Sequence, residues 1–325
     1  MPMMRVLPLA ELAEVEERLK EGLASEIPLV AELGAYLYHS GGKRLRPALA
    51  IAFYKLLGAR GERGALLEAA TALELIHLAT LVHDDIIDGS PSRRARPSLW
   101  KLWGNRIAVL QGDFIFSRAI SILNRQEARL RAIVTDAISE LLEGELLQEG
   151  LRWQLPTEAE YFGVIQRKTA ALISAACAVG ALLGDPGLPE AGLARVRQAG
   201  QKLGTAYQMV DDLLDIFGDG RLGKPTWKDR DGGWLTLPFL RLLQTTPEAD
   251  RGRVSHLLRA EALSQAEREE LLQRLADANI EKSLLAEARA LIAEAKWLLE
   301  GLGEPKPELK GLLFEIMDFT VERDS

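Results

Sequence analysis

The chain predicts an all-α fold built as a single domain over residues 1–325, and three observations carry that expectation. Apolar residues recur at the helical period from end to end, strand-like alternation bounded by turn residues is absent, and no Gly/Ser-rich or Pro-rich linker divides the chain. Punctuation agrees: Pro28, Pro156, Pro189 and Pro247 mark helix starts, and Gly184, Gly218 and Gly301 mark stops.

Taken in order, the periodicity predicts helices near 9–24, 28–39, 45–58, 64–88, 104–124 and 127–153. The fourth is apolar almost throughout and ends in a run of acids. Helices at 158–184 and 188–217 follow, the second again closing on acids. The uncharged run Thr169–Gly184 falls short of the ~20 residues of a spanning helix and reads as buried, so no transmembrane segment is expected and any membrane contact is peripheral. Helices near 235–245, 250–260, 264–277, 280–301 and 306–322 complete the chain. Two polar, basic segments, Gly89–Pro97 and Gly218–Gly233, resist the helical period and are predicted as loops, each directly after an acidic run.

Composition narrows the function classes. A hydrophobic share of 47% with 27% charged residues is that of an ordinary soluble globular protein. The net charge of −7, without a long Lys/Arg run, argues against nucleic acid as a partner. Cys177 is the one cysteine, so no intramolecular disulfide is possible, and a reduced, cytoplasmic setting fits. The N-terminal residues lack the apolar core of a signal peptide.

The chemistry concentrates in two stretches. Asp84, Asp85 and Asp88 sit within five residues, with Asp84 and Asp88 one helical turn apart on one side. Asp211, Asp212 and Asp215 repeat the pattern. Apolar residues flank and separate the acids in both copies, unlike a solvated face. Facing each other, the two stretches would raise each other's pKa values unless cations sat between them. Hard oxygen donors without Cys or His suit Mg²⁺, which commonly grips phosphate as well.

Cationic groups lie near both stretches in sequence. Arg93 and Arg94 follow Asp88, Lys224 follows Asp215, and Lys168 with Thr169 heads a very apolar helix. Arginine can fork two hydrogen bonds onto one phosphate. Gly41–Pro47 (GGKRLRP) puts Lys43, Arg44 and Arg46 before a helix start, where free N–H groups also favour anions. His77 lies two turns before Asp84 on roughly the same side.

These residues resemble the trans-isoprenyl diphosphate synthases, the polyprenyl synthetase family, from about Gly41 to Pro238 and in the family's order. Besides the stretches above, the match includes Gly112-Asp113, Gly144-Glu145-Leu146-Leu147-Gln148, Tyr207-Gln208, Gly223-Lys224-Pro225, Asp229 and Thr236-Leu237-Pro238. The resemblance implies an isoprenoid synthase fold: a helical bundle around a deep central cavity, usually a homodimer. It implies that Asp84, Asp88, Asp211 and Asp215 bind Mg²⁺ on an allylic diphosphate, supported by Asp85 and Asp212. Arg93, Lys168, Thr169, Gln208 and Lys224 would hold that diphosphate; Lys43, Arg46, His77 and Arg94 would hold isopentenyl diphosphate. The chain departs from the family pattern at Ala95 and Trp227, where the family has glycine, and at Trp234, where it has lysine.

The implied reaction is Mg²⁺-dependent chain elongation. The allylic C–O bond breaks, the double bond of isopentenyl diphosphate attacks the allylic cation, and a proton is lost. Product length is expected to depend on what blocks the cavity below the first stretch. Thr80 lies one turn below Asp84, and Ala79 lies about 7.5 Å from it along the axis. Both are small where short-chain relatives often carry aromatic rings, so a product of hexaprenyl length or longer is expected. Phe116, Ile120 or Leu123 would then form the floor. The alternatives are a farnesyl or geranylgeranyl diphosphate synthase, a class I terpene cyclase and a non-catalytic partner subunit.

Overall fold

The computed structural model describes residues 10–218, 227–302 and 307–322. It is helical almost throughout, as the periodicity predicts. Two compact units are present: Met1–Asp136 with Leu172–Gly200 and Leu299–Ile316, and Ala137–Ala171 with Gln201–Leu298 and Met317–Ser325.

The first unit opens with α1 (Ala10–Leu23), α2 (Pro28–His39), α3 (Leu45–Leu56) and α4 (Arg63–Ile87). Its centre is α4, which packs against α1, α3 and α6 (Asn105–Leu123). Residues on every side of α4 are buried, from Leu66 and Leu67 to Ala79 and Val82, as expected of a helix that is apolar all round. Between α4 and α6 the predicted loop contains a small antiparallel hairpin, β1 (Ser92–Arg93) and β2 (Arg96–Pro97). A short helix, α5 (Leu99–Trp103), follows and ends at Gly104, whose φ is +82°. The hairpin is tied down on two sides. The Tyr36 hydroxyl on α2 donates to the Pro97 carbonyl at 2.7 Å, and the Trp100 indole N–H on α5 donates to the Ser90 carbonyl at 2.8 Å.

Helix α7 (Ala128–Gly150) ends three residues before its predicted limit, and Trp153 beyond it takes a left-handed φ of +61°. The predicted 158–184 helix is α8 (Glu158–Ile165), a π-helical turn (Gln166–Ala170) and α9 (Ala171–Gly184). A capping box between Thr157 and Glu160 starts α8. Then come α10 (Glu190–Phe217), α11 (Lys228–Asp231), α12 (Leu237–Thr245), α13 (Glu248–Arg259), α14 (Gln265–Asp277), α15 (Ile280–Leu298) and α16 (Pro307–Phe319). In the second unit α12 packs against α8, α13, α14 and α15.

The sequence reading needs correction at several places. The loops predicted at 89–97 and 218–233 hold the hairpin and α11, and α5 is a helix that the periodicity does not predict. By length and composition α4 and the 158–184 stretch could each cross a membrane, but 72% and 83% of those windows are buried inside the protein. They are core helices.

Candidate active site

Each acidic stretch closes a long helix. Asp84 and Asp85 lie in the last turn of α4 and Asp88 is its C-cap; Asp211, Asp212 and Asp215 occupy the last two turns of α10. Neither helix carries a basic residue in its last turn. Carbonyl dipoles make a helix C-terminus partly negative, so carboxylates there are repelled by their own helix. The arrangement calls for cations from elsewhere.

In the first unit the cations are arginines. Arg93 Nε donates to Asp85 Oδ1 at 2.9 Å, and Asp85 is only 6% exposed. This bond ties the hairpin to the end of α4. The two-residue turn of the hairpin is Arg94–Ala95, with φ of +53° and +59°, the left-handed pair of a type I′ turn. From that turn the Arg94 guanidinium donates to the Gly41 carbonyl. Two basic segments half a hundred residues apart in sequence are thereby brought together. A side chain at Gly42 would meet the Arg44 guanidinium at 2.7 Å and that of Arg94 at 3.1 Å, so the glycine makes the close approach possible.

Of the three cations after Gly42, one is structural. Arg44, with a left-handed φ of +55°, turns inward, donating to Glu16 at 2.6 and 3.2 Å and to Glu74 at 3.0 Å. Lys43 and Arg46 remain part-exposed. His77, half-buried, is held well below the usual histidine range by burial and by the positive charges of Arg46, Arg94, Arg93 and Arg44. It is neutral at pH 7. Thus His77, Arg46, Arg93 and Arg94 form one electropositive region. Further along α4, Ala79 is 1% exposed, and the Thr80 hydroxyl is satisfied within its own helix by the His77 carbonyl at 2.8 Å. Helix α6, which carries Phe116, Ile120 and Leu123, packs along α4. Gly112 on α6 leaves the space that the His83 ring fills, because a side chain there would come within 2.2 Å of Nε2.

In the second unit the site is built on the π-helical turn. Such turns insert one residue and re-aim the side chains around them, often where function resides. This one is gripped on two sides by glycines. A side chain at Gly144 on α7 would meet the Lys168 backbone N at 2.4 Å, and one at Gly204 on α10 would meet the Ala170 Cα at 2.4 Å. The turn presents Lys168, whose Nζ lies 2.6 Å from Glu145 Oε2, next to Thr169. The Thr169 hydroxyl donates to Gln208 Oε1 at 2.9 Å, Gln208 Nε2 donates to Asp212 Oδ1 at 2.8 Å, and the Tyr161 hydroxyl donates to Asp212 Oδ2 at 2.6 Å.

Asp215 holds the chain that returns after the second stretch. Its carboxylate accepts the backbone N–H groups of Lys228 and Asp229 at 3.0 and 3.2 Å, and its carbonyl accepts that of Trp227 at 2.7 Å. Burial and neighbouring acids raise this group of carboxylates. Burial, with Asp211 and Asp215 nearby, pushes Asp212 up to about 7. Burial and Asp211 push Asp215 to about 6, and Asp229 is held well above its usual range by burial and the other three acids. The positive charge of Lys228 opposes the shift at Asp215 and Asp229. Lys224, expected here from the sequence, lies outside the described residues, as do Gly223 and Pro225.

Both positions at which the resemblance implies glycine are left-handed. Ala95 has φ +59° and Trp227 has φ +69°, conformations that glycine adopts freely and other residues only at a cost. Trp227 is buried, against the Phe239 ring at 5.4 Å and under the Arg268 guanidinium at 5.3 Å. Trp234 is buried too and stacks on Tyr161, with ring centroids 6.2 Å apart and planes at 15°.

Sequence reasoning missed Tyr161, Lys228, His83 and Glu145 as neighbours of the site. Glu145 stood in a matching motif; the others carried no periodic or spacing signal.

Comparisons with known proteins place these features. Residues 27–275 match the family model described as polyprenyl synthetase. The chain is 35% identical over 320 residues to a short chain isoprenyl diphosphate synthase of Methanothermobacter thermautotrophicus, covering 95% of each. It is 33% identical over 331 residues to heptaprenyl diphosphate synthase component 2 of Geobacillus stearothermophilus, covering 97% of this chain and 96% of that one. Among solved structures it is similar to a polyprenyl synthase from Caulobacter crescentus complexed with calcium and isoprenyl diphosphate. The TM-score is 0.89 at 30% identity, covering 97% of this chain and 95% of that one. The family model, the curated relatives and the solved structure agree: the chain belongs to the polyprenyl synthetase family and is a prenyltransferase.

Proposed function

We propose that the chain condenses isopentenyl diphosphate with an allylic diphosphate in a Mg²⁺-dependent reaction, extending the chain to a trans-polyprenyl diphosphate of hexaprenyl length or longer. The observation that carries the reading is the placement of two acidic stretches at helix C-termini that offer them no cation of their own. The donor set fits Mg²⁺: all hard oxygens, with raised pKa values in the second stretch that a bound cation would lower. Among the described residues no three His, Cys, Asp or Glu groups form a metal cage by themselves.

Asp84, Asp88, Asp211 and Asp215 would hold the metal, with Asp85 and Asp212 fixed behind them. When bound, Mg²⁺ stabilises the charge that develops on the leaving diphosphate. Arg93, Lys168, Thr169, Gln208 and Lys224 would orient the allylic diphosphate. Lys43, Arg46, neutral His77 and Arg94 would orient isopentenyl diphosphate so that its double bond meets the allylic carbon. Each close unit-charge pair of this kind is worth on the order of 4 kcal/mol at an effective dielectric of about 20. The apolar lining of α4 and α6 would exclude water from the cation.

Product length rests on Ala79 and Thr80, since the relatives include both a short-chain enzyme and a heptaprenyl component. We further take residues 1–325 as one polyprenyl synthase domain, because α7 and α10 run unbroken through both units. A cytoplasmic homodimer fits the chain. Leu102, Val109 and Leu110 on α5 and α6, and Leu142, Leu146 and Leu147 on α7, are exposed apolar residues that a second copy could cover.

The test is an assay of the purified chain alone with Mg²⁺, an allylic primer and labelled isopentenyl diphosphate, the product being sized by chromatography. Incorporation into products of six or more units supports the reading. A farnesyl or geranylgeranyl product removes the long-chain assignment, and turnover without isopentenyl diphosphate would point to a cyclase. A second reading, that the chain needs a separate partner chain, draws on its likeness to a component of a heptaprenyl synthase; absence of activity until such a partner is added would favour it.

A further inference from the structure

Asp212 is the most enclosed carboxylate of the second stretch, 1% exposed, and both of its oxygens are already bonded within the protein. Oδ2 accepts from the Tyr161 hydroxyl at 2.6 Å and Oδ1 from Gln208 Nε2 at 2.8 Å. Gln208 in turn accepts from Thr169 at 2.9 Å. The result is a chain of bonds from α8 through α10 to the π-helical turn. Asp212 fixes which way the Gln208 amide turns: with Nε2 drawn to the carboxylate, Oε1 is the end that faces the Thr169 hydroxyl. Tyr161 fixes Asp212. It is fully buried, and burial with the nearby Asp212 charge keeps its phenol protonated, hence always a donor. Trp234 stacks against the Tyr161 ring and limits its rotation.

We propose that Tyr161, clamped by Trp234, is a positioning residue: through Asp212 it orients Gln208 and Thr169, and so sets the affinity of the allylic-diphosphate side without touching substrate. Trp234, at the position where the family resemblance implies a lysine, supplies a ring that stiffens the network behind the site. This inference rests on the reading that Thr169 and Gln208 hold the allylic diphosphate.

Three variants test it: Tyr161→Phe, which keeps the stack and removes one hydrogen bond; Trp234→Leu, which keeps the phenol and removes the stack; and Thr169→Ala as the reference for the subsite itself. KM is measured separately for both substrates, and binding of inorganic pyrophosphate in Mg²⁺ is measured by calorimetry. Tyr161→Phe is expected to weaken pyrophosphate binding and raise the allylic KM by about tenfold, the scale of one hydrogen bond to a charged group. The KM for isopentenyl diphosphate should stay unchanged, because Lys43, Arg46, His77 and Arg94 belong to the other unit. Trp234→Leu should shift the same two quantities by a smaller factor. If Thr169→Ala raises the allylic KM and Tyr161→Phe does not, the positioning role is wrong while the subsite stands. If Thr169→Ala itself leaves the allylic KM unchanged, the subsite assignment fails and the proposal with it. Equal loss of affinity for both substrates in Tyr161→Phe, with a lower Tm, would mark Tyr161 as merely structural and overturn the proposal.

Discussion

Arg93 Nε donates to Asp85 Oδ1 at 2.9 Å, joining the hairpin to the last turn of α4. The carboxylate is nearly buried, whereas the arginine side chain is 30% exposed. Arg93→Met therefore removes a charged partner from a buried acid. We expect a loss of about 1–2 kcal/mol, at the modest end because the guanidinium is partly solvated. Urea unfolding of the two proteins measures it.

Ala95 and Trp227 both stand in left-handed conformations, but they differ in what else they do. Ala95 is exposed, so Ala95→Gly should relieve strain and raise stability by about 1 kcal/mol. Trp227 is 2% exposed and packs on Phe239 and Arg268. Trp227→Gly gains the same relief but loses a large buried ring, for a net loss of about 2–4 kcal/mol. Thermal unfolding should move in opposite directions for the two.

The acids of the second stretch set a pH dependence. Asp212 at about 7 and Asp215 at about 6 hold protons in the folded protein more tightly than the ordinary value of 3.8 allows. Their stabilising contribution is complete below that value and is lost as pH rises through 6 and 7. Metal-free protein should thus lose this contribution between pH 4 and 8. Mg²⁺ with pyrophosphate should raise Tm more at pH 8 than at pH 5. At pH 7 their binding should release protons, read by calorimetry in two buffers of different ionisation enthalpy.

His77 is uncharged at neutral pH because burial and four arginines oppose its protonation. A neutral donor of similar reach should serve nearly as well. His77→Gln is expected to change the KM for isopentenyl diphosphate by less than about threefold, and His77→Ala to raise it by about tenfold, one charged hydrogen bond's worth. Steady-state kinetics with the allylic substrate saturating separates them.

Ala79 and Thr80 offer the lever on product length. Ala79→Tyr should shorten the product, and Thr80→Phe should do so with less strain because Thr80 is only half-buried. Chromatography of the extracted prenyl chains decides; unchanged length in both variants would remove α4 as the wall.

Much of this was legible in the chain. The long helices came from the apolar period because they bury continuous faces, and their ends came from Pro28, Pro189, Gly184 and Gly218. The acidic stretches were legible because acids set among apolar residues break that pattern. The π-helical turn was not, since Gly144 and Gly204 impose it from other helices and Gln166–Ala170 has no signature of its own. The hairpin was hidden because its turn is Arg94–Ala95 and not Asn-Gly. Arg44 looked like one of three equivalent cations; only Glu16 and Glu74, remote in sequence, mark it as the buried one. Tyr161 was invisible for the same reason, as its partner lies 51 residues away.

We propose that both aspartate stretches hold one metal-bound diphosphate. A crystal structure with Mg²⁺ and a non-cleavable allylic diphosphate analogue tests it most directly. We predict Mg²⁺ ions that share the diphosphate oxygens and are bonded to Asp84 or Asp88 on one side and to Asp211 or Asp215 on the other. A diphosphate bound without metal, or reached by only one of the two stretches, would contradict it.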